Sequence, residues 1–290
     1  MFAARMRERL EQSPNLVRAK RAIWATGRGM LPRDDTRIIE GLPLFTPNGA
    51  GSIRNRAVLT LEGADRTFPL LVDLAALGGK ASDDPVAIRS FANTAPKREA
   101  AERLRALFDR FGSDKSTRHD YHLLFGSILE KPDSVTDVLE IGIGSNNPDV
   151  VSNMGTQGRP GASLRAFRAF LPRATIYGAD VDTGILFEEE RINTFLLDQT
   201  EPASFDRLSR VVPAELDLII DDGLHCPHAN IATLLFALER LKMGGWFVVE
   251  DIAPAALPLW QVISTMMPAH HESQIVDAKG AYLFVVRRSE

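Results

Sequence analysis

Two acidic pairs and a histidine carry the clearest chemical signal in the chain. Asp221-Asp222-Gly223-Leu224-His225 follows one apolar run, and Glu250-Asp251 follows the next. Neighbouring parallel strands lie about 4.8 Å apart, so acids at their ends converge on one point. Unpaired carboxylates gathered there repel strongly unless a cation sits between them. An all-oxygen set suits a hard ion, Mg²⁺ or else Mn²⁺ or Ca²⁺. Zinc fits less well: the single cysteine, Cys226, offers no thiol cluster, although His225 and His228 keep that metal in view. His225 lies three residues after Asp222, and its neutral imidazole can take a proton near pH 7. The competing reading has Asp221 facing a cofactor and Glu250 and Asp251 capping helices.

A second set of residues closes the earlier runs. The first ends Leu139-Glu140-Ile141-Gly142-Ile143-Gly144, where glycines let backbone and ligand come close. Position 147 is Asn, so the G-x-G-x-x-G fingerprint is incomplete and a cofactor without phosphates fits better. Asp180 ends the second run, where an acid can bind ribose hydroxyls. Asp198-Gln199 ends the third, where an adenine edge can be read. Against this, Asp180 and Asp182 can cap the following turn and Asp198 a helix. With Asp221 after the fourth run, the combination resembles the S-adenosylmethionine motifs of class I methyltransferases, which implies that cofactor.

The elements that must position these residues alternate. Val135–Glu140, Thr175–Asp180, Ile192–Leu197, Leu216–Ile220 and Trp246–Val249 read as strands. Helical patterns over Lys97–Phe108, Ser163–Leu171 and Ala229–Leu241 lie among them, the last closed by Gly244-Gly245. Such alternation predicts a parallel sheet covered by helices on both faces. Ser273–Val276, a turn at Lys279-Gly280 and Tyr282–Val286 predict a terminal antiparallel hairpin. A parallel sheet finished this way resembles the class I methyltransferase fold, Rossmann-like α/β, rather than an NAD-binding domain. Residues 1–98 are irregular and predict a small accessory or oligomerisation region, with the methyltransferase domain over 99–290. Within 1–98, Arg56–Glu62 and Phe68–Leu74 read as strands joined by a GADR turn.

Composition narrows the partners. The 290 residues carry 34 Lys+Arg against 38 Asp+Glu, a net charge of −4, which excludes general nucleic-acid coating. Hydrophobic residues at 44 % supply a core and exclude a disordered chain. One cysteine permits no internal disulfide, which fits a reducing cytoplasm. No apolar stretch approaches the length of a membrane span, and the start lacks the apolar core of a secretory signal. Arg5, Arg7, Arg9, Arg18, Lys20, Arg21 and Arg28 give the N-terminus a basic face that could meet an anionic membrane, or more plainly a solvated or oligomer-packing helix.

Asp-Asp-Gly-x-His followed by Val-Glu-Asp resembles the metal-dependent sugar O-methyltransferases of macrolide biosynthesis, the mycinamicin and tylosin type. So does Gly112-Ser113-Asp114-Lys115 with His119 and Tyr121 ahead of the first strand. The likeness spans about residues 110–255. It implies Mg²⁺ on Asp222, Glu250 and Asp251, His225 as the base, and a homo-oligomer with an accessory N-terminal region. Asp114, Lys115 and His119 are expected to flank the site, with a surface role for Lys115 the alternative. The implied reaction is metal-assisted deprotonation of a sugar or glycoside hydroxyl and in-line attack on the methyl of S-adenosylmethionine. The rivals are a catechol-type O-methyltransferase and a non-catalytic assembly protein that binds the same cofactor. Two departures leave the acceptor open: the insertion Ser145–Pro160, expected over the cofactor edge, and Leu224 where a small polar residue is usual.

Overall fold

Strand residues of the second half alternate between two buried layers. In the computed structural model, which describes Gly63 and residues 67–80, 82 and 84–289, Val138, Ile176, Leu218, Ile220, Val248 and Val285 enter one apolar cluster. Leu139, Ile141, Ile219, Phe247, Val249 and Val286 enter the other. That period of two places a sheet between two helical layers.

The strands are β1 (Val86–Ala87), β2 (Asp137–Ile141), β3 (Thr175–Asp180), β4 (Glu188–Glu189), β5 (Ile192–Leu196), β6 (Leu216–Asp221), β7 (Leu241–Ile252), β8 (His271–Ala278) and β9 (Ala281–Arg288). Their order across the sheet is β1-β8-β9-β7-β6-β2-β3-β5-β4. The central five, β5-β3-β2-β6-β7, are parallel, while β9 runs antiparallel between β7 and β8. The terminal hairpin expected from the sequence is therefore present. Its turn places Gly280 at φ 82°, a conformation that favours glycine.

Helices α1 (Ala95–Phe111), α2 (His122–Ile128) and α3 (Ala162–Phe170) supply the first layer. Phe108 of α1 and Phe125 of α2 both meet Phe167 of α3 edge-on, with centroids 5.4 and 5.5 Å apart. Helices α4 (Pro202–Leu208), α5 (Pro227–Leu238) and α6 (Leu257–Thr265) supply the second through Phe205, Leu234, Phe236 and Trp260. Thr94 caps α1 by accepting from the Lys97 amide, and Gly112 ends it at φ 81°.

Two readings of local pattern are corrected. The helix expected to reach Leu241 stops at Leu238, and Leu241 instead pairs with Leu216 as the start of β7. Strand pairing claims that leucine, and the strand continues through Gly244-Gly245. Residues 67–77 are helical rather than a strand. Leu70, Leu74 and Leu77 recur at helical spacing, and Pro69 stands near the start of the described helical run, where the first turn tolerates it. The chain divides into two units, Met1–Ala81 and Ser82–Glu290. Within the second, the sheet reaches back to Val86, which pairs with Val276. The expected basic helix and the Arg56–Glu62 strand lie outside the described residues. No helix among the described residues is long and apolar enough to cross a membrane.

Candidate metal and cofactor site

The strand order reverses at β2, where the chain turns to β3 on one side and β6 on the other. In open α/β sheets ligands gather beyond the carboxyl ends of strands at such a point. Register sets the level of the acids there. Ile141 pairs with Asp221 and Asp221 with Val249, so Asp222, just past the end of β6, and Glu250, still within β7, stand at one level. A register irregularity in β7 between Val249 and Ile252 turns Asp251 to φ 56°. His225 sits at φ 51°. Left-handed backbone in residues other than glycine is strained, and such strain collects at functional sites.

The acids form a buried tier and an open tier. In the buried tier the Lys115 ammonium lies 2.6 Å from Glu250 Oε2, 2.7 Å from Asp222 Oδ2 and 3.2 Å from Glu140 Oε1. Lys115 is 3 % exposed, Glu250 2 % and Glu140 fully buried. Burial alone would lower Lys115, but Asp222, Glu250 and Glu140 outweigh it and hold the ammonium well above the ordinary lysine range. Burial, then the nearby Asp222 charge, pushes Glu250 well above the usual carboxylate range. Burial also raises Asp222 and Glu140, against the pull of Lys115.

In the open tier, ligand atoms of Asp222, His225 and Asp251 lie within 4.8 Å of one another. His225 Nε2 is 3.9 Å from Asp222 Oδ1. Tyr121 donates its hydroxyl to Asp251 Oδ1 at 2.5 Å and accepts from the Asp251 amide at 3.3 Å. Burial, with Glu250 and Asp251 beside it, raises the Tyr121 phenol, so it stays a donor. His119 stacks on Tyr121 at 5.0 Å and donates from Nδ1 to the Lys279 carbonyl, tying the β8–β9 turn to the site.

A hard divalent ion fits this donor set. Glu140, Asp222 and Glu250 face one lysine, Asp251 adds a fourth acid in the open tier, and the buried Glu250 Oε1 has no hydrogen-bond partner among the described residues. Of the ligand set expected from the sequence, Asp222 and Asp251 stand in the open tier. Glu250 stands behind them on Lys115, and His225 joins the ring. Sequence reasoning left the place of Lys115 undecided and gave Tyr121 no role. Their sole signal was position in the Gly112–Tyr121 segment.

The residues expected at the cofactor are placed unequally. Asp180 Oδ2 accepts from the Ile143 amide and Oδ1 from the Asp182 amide, so it shapes the glycine loop and keeps a lone pair on each oxygen. Asp182 caps the next turn through the Gly184 amide, and Asp198 Oδ1 accepts from Thr200. Asp221 and Gln199 turn on each other. The Gln199 amide donates to Asp221 Oδ1 and Thr233 Oγ1 and accepts from the Leu224 amide, while Asn230 donates to Asp221 Oδ2. Burial raises the Asp221 pKa, and its contacts anchor the His225 loop to α5. At Gly142, φ 85°, a Cβ would run into the Asp222 carbonyl, so this glycine first serves the approach of two loops. At Gly144, φ 83°, it would meet the Met154 side chain. The 145–160 insertion folds back on itself, Met154 N donating to Ser145 O. It reaches the His225 loop through Ser152 Oγ, which donates to the Leu224 carbonyl.

No family model matches the chain. It is similar to the 8-demethyl-8-alpha-L-rhamnosyl tetracenomycin-C 2'-O-methyltransferase of Streptomyces olivaceus, 30 % identical over 192 residues, 62 % of this chain and 48 % of that one. It is 36 % identical over 123 residues to the mycinamicin VI 2''-O-methyltransferase of Micromonospora griseorubida, 42 % of this chain and 28 % of the relative. The chain spans half or less of the length of these curated relatives. Among solved structures, the MycE methyltransferase from the mycinamycin biosynthetic pathway, in complex with Mg, SAH and mycinamycin VI, aligns with a TM-score of 0.52. That match has 22 % identity and covers 64 % of this chain and 54 % of that one. The fold is that of the class I methyltransferases.

Proposed function

We propose that this chain is an O-methyltransferase that carries the methyl group of S-adenosylmethionine to a hydroxyl of a sugar or glycoside, with Mg²⁺ at the acidic site. The observation that carries the reading is the ring of Asp222, His225 and Asp251 at the reversal point of the sheet, backed by the buried Glu250. The named relatives are O-methyltransferases of a rhamnosyl tetracenomycin-C and of mycinamicin VI, which supports the acceptor class.

Asp222 and Asp251, with Glu250 behind them, would hold the metal. When bound, a divalent ion lowers the pKa of a hydroxyl on it, as it does for water. His225 Nε2 would take the proton of the acceptor hydroxyl, beside the Asp222 carboxylate that steadies the imidazolium. Tyr121 and the strained backbone at Asp251 orient the Asp251 carboxylate. The glycine loop and Asp180 position the methyl donor, and alignment of donor and acceptor supplies much of the rate.

Two variants test the roles separately. D222N removes an anionic donor, so the Mg²⁺ midpoint should weaken and excess Mg²⁺ should restore part of the rate. H225A should lower turnover about 10²- to 10⁴-fold with the Mg²⁺ midpoint unchanged, because loss of a general base has that cost. The assay is methyl transfer from S-adenosylmethionine to glycosides, followed by mass spectrometry against Mg²⁺ and pH. Turnover that survives EDTA overturns the metal role. A weakened Mg²⁺ midpoint in H225A would make His225 a ligand instead of the base.

A further inference from the structure

Among the described residues, Lys115 is the one buried lysine or arginine, and the reaction above gives it nothing to do. It cannot reach an acceptor, because it is 3 % exposed and enclosed by acids. Its loop is held in place. The Lys115 carbonyl accepts from the Tyr121 amide at 2.8 Å, Ser116 Oγ donates to Asp109 at 2.6 Å, and Gly112 turns the chain at φ 81°.

The two acids it touches divide their oxygens. Asp222 gives Oδ2 to Lys115 and turns Oδ1 toward His225. Glu250 gives Oε2 to Lys115, and Oε1 is left without a hydrogen-bond partner. Each carboxylate thus has one oxygen fixed by the ammonium and one that the ammonium leaves free, that of Asp222 lying in the open ring. We propose that Lys115 is an internal counter-ion that keeps Asp222 and Glu250 in their metal-binding pose when no metal is bound and sets how tightly a divalent cation is held. The inference rests on the metal reading of the site.

Two opposite effects follow from one fixed positive charge. It offsets repulsion among four crowded carboxylates, which supports the metal-free fold. It also repels an incoming cation a few ångströms away, so the metal binds more weakly than the acids alone would hold it. Lys115 acts through the carboxylates and is a positioning residue. An ordinary buried ion pair would share the first effect and lack the second.

The test follows thermal unfolding of the full chain, stripped of metal and then titrated with Mg²⁺ alone. K115M without metal should unfold roughly 6 °C or more below the parent, as expected for breaking a buried ion pair. Its Mg²⁺ midpoint should tighten at least about tenfold, because a unit charge at this range and an effective dielectric near 20 is worth more than one decade. K115M/E250Q, with one negative charge removed as well, should regain most of the lost metal-free stability, and this pair keeps the claim testable if K115M alone does not fold. An unchanged or weakened Mg²⁺ midpoint in K115M, or no recovery in the double variant, overturns the proposal. Absence of any Mg²⁺ shift in the parent overturns the metal reading instead, and the double variant still judges the counter-ion.

Discussion

His225 and Asp251 show how the site is built at the scale of single residues. Both hold left-handed backbone, at a cost of order 1–3 kcal/mol each, and both are held there by neighbours. For Asp251 the neighbour is the Tyr121 hydroxyl; for the His225 loop it is the Gln199 amide on Leu224. Glycines 142 and 144 separate two reasons for lacking a side chain. A Cβ at Gly142 strikes the Asp222 carbonyl and the Gly223 Cα, backbone atoms that cannot swing aside. At Gly144 it strikes the Met154 side-chain end, which can rotate. Gly142→Ala should therefore cost more than about 2 kcal/mol with no cofactor present, from strain plus clash. Gly144→Ala should cost about 1–2 kcal/mol from its positive φ alone. Urea denaturation of the ligand-free variants measures both, and equal costs would remove the distinction.

At the scale of elements, the strand starts are pinned as firmly as the strand ends. Asp217 at the head of β6 accepts from the Thr136 and Asp137 amides at 2.8 and 2.9 Å and from Lys242 Nζ at 2.9 Å. This binds β2, β6 and β7 into one register before the chain reaches the acids. Burial would raise the Asp217 pKa, but the Thr136 and Asp137 amides and Lys242 outweigh it and hold the carboxyl below the usual range. A depressed folded value means that the contribution to stability is present above the unfolded value, near 4, and is lost as pH falls through the folded one. D217N should thus be about 1–3 kcal/mol less stable than the parent at pH 7. The difference should shrink on acidification below about pH 4. Unfolding curves from pH 3 to 7 check the sign, and a gap that widens in acid would contradict it.

At the scale of the whole molecule, every residue placed at the site belongs to the unit that begins at Ser82. A chain begun at Ser82 should fold cooperatively and keep its response to cofactor. S-adenosylhomocysteine at 100-fold its Kd should add about 2.7 kcal/mol, a rise of roughly 5–10 °C in Tm for a unit of this size. If residues 1–98 also serve assembly, the shortened chain should elute as a smaller oligomer than the parent. A well-folded shortened chain without any thermal shift would place part of the cofactor site before Ser82.

The sequence by itself determined the alternation of strands and helices, the antiparallel finish and the acids at the strand ends. Apolar periodicity and strand termini are local, and residues 137–141 or 216–221 need no distant partner to declare themselves. Where local pattern was ambiguous, tertiary pairing decided. Leu241 fits a helix until Leu216 claims it, and residues 67–77 carry both a strand's composition and a helix's spacing. The division of labour among the acids was also beyond local reading. Asp221 and Asp222 are adjacent, yet successive residues along a strand point to opposite sides, and one meets Gln199 while the other meets Lys115. Lys115 precedes Asp222 by 107 residues and Glu250 by 135, and in sequence it looks like any lysine in a polar loop. Only the folding of that loop over the end of the sheet buries its charge among carboxylates, because only there does burial come with partners enough to keep it ionised.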